Sequence, residues 1–186
     1  MSRKPREWYP GTACHITARG NRHAEIFHEE EDYIKYLEIL EDVREKYPFT
    51  LHSYCLMTNH LHLQLETPEN YIPEIIQKIH TIYAIYLNKK LDTDGHVFQG
   101  RYGSKIIISQ RYFLIVNRYI HRNPLEAKMV QKAEDYPWSS YSAYLGLTEN
   151  PLIDPTKTLS FFSSPTYQTY REFVEKEESD EEEEIL

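Results

Sequence analysis

Strict apolar–polar alternation over residues 60–66, helical stripes over 31–47 and 72–90, and a short strand followed by a helix from residue 104 onward predict an α+β domain. In order, the elements read β-α-β-β-α-β with a further helix behind them. That is the order of a ferredoxin-like split unit. The chain carries no internal repeat of solenoid type.

The first strand is TACHITA at 12–18, which alternates weakly and is broken by Gly20 in RGNR. Residues 31–47 place Tyr33, Tyr36, Leu37, Leu40, Val43 and Tyr47 on one helical face, and Pro48 ends the helix. FTLHSYCLM at 49–57 and HLHLQLE at 60–66 form a hairpin across the turn at Thr58 and Asn59. In its second strand, His60, His62, Gln64 and Glu66 share one face and Leu61, Leu63 and Leu65 the other. Residues 72–90 carry Ile72, Ile75, Ile76, Ile79, Tyr83, Tyr86 and Leu87 as a stripe, with Pro73 near the start. After a loop at 91–95 and the aromatic, glycine-punctuated HVFQGRYG, SKIIIS at 104–109 reads as the fourth strand. Residues 110–122 form the extra helix, with Phe113, Val116 and Ile120 inward, and Pro124 is expected to stop it. Residues 1–145 are expected to be the folded domain, 146–170 an irregular C-terminal extension, and 171–186 an acidic tail kept disordered by self-repulsion.

A chain of 186 residues buries a core without disulfides or a structural metal. Two cysteines make neither a disulfide framework nor a cysteine zinc site. No apolar run approaches the roughly 20 residues of a membrane span. MSRKPREWYPG lacks the apolar stretch of a secretory signal, so a cytoplasmic protein without membrane contact is expected. The net charge of −8 is segregated. Residues 171–186 hold nine acids and two bases, whereas residues 95–132 hold seven bases and one acid. Residues 1–23 hold five bases and one acid. Basic blocks of this kind suit a phosphate backbone, although two solvated surfaces explain them equally well.

His60 and His62, two apart on a strand, send both imidazoles from one face, a ready platform for a divalent metal. On spacing alone, an exposed polar face without any ligand is the better reading. Tyr119 and Asn123 are four apart on the extra helix and share a face. Asn123 then offers a hard oxygen ligand, and Tyr119 lies beside the metal. A tyrosine suits phosphodiester transfer, because a phosphotyrosine link stores bond energy that water attack would lose. Composition alone nonetheless favours mere packing for one of 16 tyrosines.

RGN at 19–21, YCLMTNHLHL at 54–63, GHVFQGRY at 95–102, RYIHRNPLEA at 118–127 and YPWSSY at 136–141 resemble the REP-associated branch of the single-tyrosine HUH transposases. The resemblance spans roughly residues 12–145. It implies a ferredoxin-like sheet with flanking helices and makes His60 and His62 the metal-binding pair. It also implies Asn123 as third ligand, Mg2+ or Mn2+ as the cofactor, and Tyr119 as the nucleophile that forms a 5′-phosphotyrosine on single-stranded DNA near a hairpin. His121 points to a different helical face and is not made a ligand. Arg19, Asn21 and Arg22 read as backbone or hairpin contacts, the alternative being a turn held by Asn21. Arg101 and Lys105 flank Phe98 and Tyr102 and suit a grip on the strand with base stacking. Phe98 is better read as core. Arg118 beside Tyr119 suits the scissile phosphate, and a salt bridge suits it equally. Trp138 reads as a packing anchor.

The expected function is a metal-dependent single-stranded DNA endonuclease and strand transferase. Its first rival is a domesticated hairpin-binding protein without cleavage. Its second is a phosphoesterase that uses water. The only nearby carboxylate on that strand face is Glu66, about 13 Å from His62 at ~3.3 Å per residue. A monomer and a homodimer, with the tyrosine acting in cis or in trans, both remain open.

Overall fold

A computed structural model describes residues 8–164 and 166–176. Four strands, β1 (Thr12–Arg19), β2 (Thr50–Leu56), β3 (His60–Thr67) and β4 (Gly103–Ile106), form one sheet in the order β2-β3-β1-β4. Every neighbouring pair is antiparallel. Helices α1 (Glu30–Lys46) and α2 (Ile72–Leu91) join them in the β-α-β-β-α-β order, followed by α3 (Gln110–Glu126). The expected fold class therefore holds.

Alternation along each strand divides the sheet into two faces. Cys14, Ile16 and Ala18 of β1 and Leu61, Leu63 and Leu65 of β3 join Tyr36, Leu40, Ile76, Ile79 and Tyr83 of α1 and α2 in the main core. Ala13 and Cys55 on the other face pack with Phe113, Val116 and Ile120 of α3. The β2 strand is buried from Leu51 to Leu56 because helices cover both sides, and a bulge between Leu51 and Ser53 adjusts its register to β3. Trp138 is a packing anchor as expected: its ring stacks on Tyr33 at 4.5 Å, and its carbonyl accepts from the Leu56 N–H.

Two expectations need correction. Pro124 does not stop α3, which runs through it to Glu126. A proline in the last turn forfeits a single N–H, and the chain still closes with Ala127 N–H donating to the Asn123 carbonyl at 3.0 Å. Nor is the segment after residue 145 an irregular extension. Beyond α4 (Tyr141–Tyr144) it folds back as α5 (Thr156–Leu159) and α6 (Thr166–Glu175). Leu152, Ile153, Tyr170 and Val174 join the main core. The helix α6 takes up residues 171–175 of the expected tail, and residues 177–186 lie outside the described residues.

Between α3 and the sheet lies a buried polar chain. Gln64 accepts from Ser53 at 3.0 Å and from Asn117 at 2.9 Å, and donates to the Phe113 carbonyl. The Tyr170 hydroxyl donates to Asn117 Oδ1 at 2.5 Å and lies 2.6 Å from His121 Nδ1. His121 Nε2 lies 2.7 Å from Ser140 Oγ. His121 thus faces away from the Tyr119 side of its helix, as the 100° step implies.

Candidate active site

The register Arg19↔His60 and Thr17↔His62 sets β1 beside β3, with their polar positions on the α3 face. Toward the β4 side, this face opens into a cleft of 670 Å³ lined by His15, Arg19, His60, His62, Arg101, Lys105 and Tyr119, among others. A strap at 97–99 pins its rim to the end of β1. Gln99 N–H donates to the Arg19 carbonyl, and Asn21 N–H donates to the Val97 carbonyl, both at 2.8 Å. Phe98 holds the strap from beneath, stacking on His80 at 4.1 Å.

Asn123 reaches from α3 to both histidines. Its Oδ1 lies 3.2 Å from His60 Nε2, and its Nδ2 lies 3.5 Å from His62 Nε2. The Tyr119 ring stands edge-on to His62 with centroids 5.2 Å apart. All four expected residues therefore meet within one chain. Burial holds His60 below the usual imidazole range, with Arg19 adding to the effect. Burial also holds His62 well below it, with His15, His60 and Arg19 pushing the same way. Neutral rings keep lone pairs for a cation at ordinary pH.

The sequence reading missed His15. It sits in β1 on the His62 side, its Nε2 3.1 Å from His62 Nδ1 and its ring 5.9 Å from that of Tyr119. Burial, then Lys105, pushes it down to about 4. Its only sequence signal is the i, i+2 relation to Thr17 and Arg19 in a weakly alternating strand. Its approach to His62 depends on a strand register that is not local.

The other expected contacts divide. Arg19, Arg101 and Lys105 are exposed and line the cleft. Asn21 and Arg22 sit in the turn after β1, outside the lining residues, with Arg22 exposed and its backbone left-handed at φ 54°. Arg118 is not a cleft residue. It is 2% exposed, bonds the Lys176 carbonyl and lies over the Phe173 ring at 5.5 Å. Its neighbour Tyr119 points to the cleft because successive helix residues diverge by about 100°. Tyr102 is buried, and Phe98 is half-buried with its ring stacked on His80, so Phe98 is core as expected. Glu66 is held by His52 at 3.1 Å and Lys157 at 2.6 Å, and these partners pull it down to about 2. Among the described residues, no three His, Cys, Asp or Glu side chains gather as a metal cluster.

The cleft thus brings together a cationic rim, two imidazoles held neutral and a tyrosine, with an amide oxygen reaching the imidazoles from α3. The family described as "Transposase IS200 like" matches residues 9–123, and the chain belongs to that family. The matched stretch contains His60, His62, Tyr119 and Asn123. The fold is similar to that of a REP-associated tyrosine transposase bound to a REP hairpin. The TM-score is 0.69 at 16% identity, covering 83% of this chain and 98% of that one. A Deinococcus radiodurans R1 protein described as a transposase is also similar, with a TM-score of 0.45 at 16% identity over 73% of this chain and 98% of that one. No curated protein matches the chain. Among the described residues, no helix is long and apolar enough to cross a membrane.

Proposed function

We propose that the chain is a REP-associated type of tyrosine transposase, a single-stranded DNA endonuclease and strand transferase that cuts beside a hairpin. The observation that carries this reading is the meeting of His60 Nε2, His62 Nε2 and Asn123 Oδ1 beside Tyr119. The hairpin held by the similar transposase structure supports hairpin DNA as the substrate class.

Two neutral imidazole nitrogens and an amide oxygen fit Mg2+ or Mn2+, with positions left for phosphate oxygen and water. His60, His62 and Asn123 would hold the ion. When bound, it supplies Lewis-acid polarisation of the scissile phosphate and offsets its charge. Arg19, Arg101 and Lys105 hold the backbone along the cleft rim. The Tyr119 hydroxyl oxygen attacks phosphorus in line and loses its proton. The bond from phosphorus to the 3′-oxygen breaks, leaving a 5′-phosphotyrosine and a 3′-oxygen that takes up a proton. Attack by another 3′-hydroxyl on the phosphotyrosine rejoins the strand and restores the tyrosine. Glu66, the carboxylate on the same strand face, is paired with His52 and Lys157 and so is not free to activate a water.

The test mixes the protein with Mn2+ and single-stranded oligonucleotides carrying the hairpins that flank its own gene. A covalent adduct that survives denaturation, requires metal and disappears in Tyr119→Phe and His60→Ala is expected. Cleavage persisting in Tyr119→Phe would overturn the nucleophile assignment. Tight hairpin binding without cleavage would turn the reading to a binding protein.

A further inference from the structure

Both candidate metal-binding rings are held from behind. His60 Nδ1 lies 2.7 Å from Asn59 Oδ1, and His62 Nδ1 lies 3.1 Å from His15 Nε2. Neither partner touches the place beside Asn123 where the two Nε2 atoms converge.

Asn59 is fixed in its orientation. Its carbonyl accepts from the Gly20 N–H at 2.8 Å, and its Nδ2 donates to the His23 carbonyl at 3.4 Å. Only Oδ1 is left to face His60. An amide oxygen accepts and cannot donate, so the His60 ring must carry its proton on Nδ1. The Nε2 of a neutral ring is then a lone pair, and it faces Asn123 Oδ1, a second acceptor, at 3.2 Å. Two facing acceptors repel unless a proton or a metal cation lies between them, and burial disfavours the proton.

The same logic applies to His62. Asn123 Nδ2 can only donate, so His62 Nε2 receives it and the ring proton sits on Nδ1. That proton points at His15 Nε2, which is buried in β1 and accepts it.

We propose that Asn59 and His15 are positioning residues that lock His60 and His62 as Nδ1–H tautomers, so that both Nε2 atoms offer lone pairs to one cation beside Asn123 Oδ1, the cation taking the place of the Asn123 Nδ2–H at His62. This rests on the metal reading above and deepens it. Partners of this kind orient a ligand ring and raise its basicity, and losing one costs about 10–100-fold in metal affinity.

The test uses the full chain without DNA. Free Mn2+ is read by its electron paramagnetic resonance signal, and the ring tautomers of the metal-free protein by long-range ¹⁵N–¹H correlation. Wild type is expected to bind Mn2+ and to carry both ring protons on Nδ1, and His60→Ala to lose binding. His15→Ala and Asn59→Ala each weaken binding about 10–100-fold. His15→Gln and Asn59→Asp, whose side-chain oxygens accept the same protons, recover most of the loss. Unchanged binding in both alanine variants, with loss in His60→Ala, overturns the positioning role alone. A wild-type His60 or His62 protonated on Nε2 overturns it as well, whether or not an alanine variant folds. A wild-type chain that binds no Mn2+ overturns the metal reading and the positioning role together.

Discussion

His121 lies two residues beyond Tyr119 and has the opposite environment. The Tyr170 hydroxyl donates to Asn117, so His121 Nδ1–H donates to Tyr170 and its Nε2 accepts from Ser140. Full burial pushes the ring from 6.5 down to about 3. A depressed histidine keeps its stability above the unfolded pKa. Between 6.5 and about 3 the unfolded chain takes up a proton that the folded one refuses. Stability therefore falls on acidification, by about 1.4 kcal/mol per pH unit for such a site. Urea unfolding from pH 7.5 to 5 should show this slope, and His121→Gln should flatten it. His15, pushed down to about 4, leaves part of the slope in place. Arg118 and Arg101 make a second contrast. Arg101→Ala should weaken single-stranded DNA binding and reduce its logarithmic salt slope by about 0.7. Arg118→Ala should leave that slope unchanged and lower the melting temperature, because its guanidinium bonds the Lys176 carbonyl.

At the scale of elements, the turn between β1 and α1 and the helix α3 deliver the site. Gly20 closes the turn so tightly that an added Cβ would lie 1.9 Å from the Ala24 carbonyl oxygen. Because that obstacle is backbone, Gly20→Ala should cost about 1–3 kcal/mol, measured by thermal unfolding. The turn also supplies the His23 carbonyl that orients Asn59, so the same variant should weaken Mn2+ binding. The α3 helix presents two faces, each a pair four residues apart: Tyr119 and Asn123 toward the histidines of β3, Asn117 and His121 toward the buried polar chain and α6. The apolar stripe of Phe113, Val116 and Ile120 was legible in the sequence because it repeats at helical spacing. The side of the helix that His121 takes was legible from the 100° step, but its buried partners were not, nor was the role of Asn117, since such contacts are recognisable only from distant residues.

For the whole molecule, α6, the last helix among the described residues, is structural. Tyr170 is fully buried, donates to Asn117 and packs at 4.9 Å from Tyr144. Tyr170→Ala should cost about 3–5 kcal/mol by denaturant unfolding, as removal of a buried aromatic does. A loose extension would have tolerated the change within about 0.5 kcal/mol. Arg122 reinforces the contact by donating to the Val174 carbonyl at 2.9 Å, so the helix that carries the tyrosine is braced from behind by α6.

By itself the sequence determined the strand and helix order, the two faces of β3 and the pairing of Tyr119 with Asn123. These follow from periods of 2 and 3.6 residues, which are local properties of the backbone. Only the tertiary structure decided that Asn123 reaches both histidines, that His15 stands behind His62, that Arg118 turns inward, and that Leu152, Ile153, Tyr170 and Val174 join the core. Each depends on the register of strands or the packing of helices distant in sequence, and no local period records which residues will meet across such gaps.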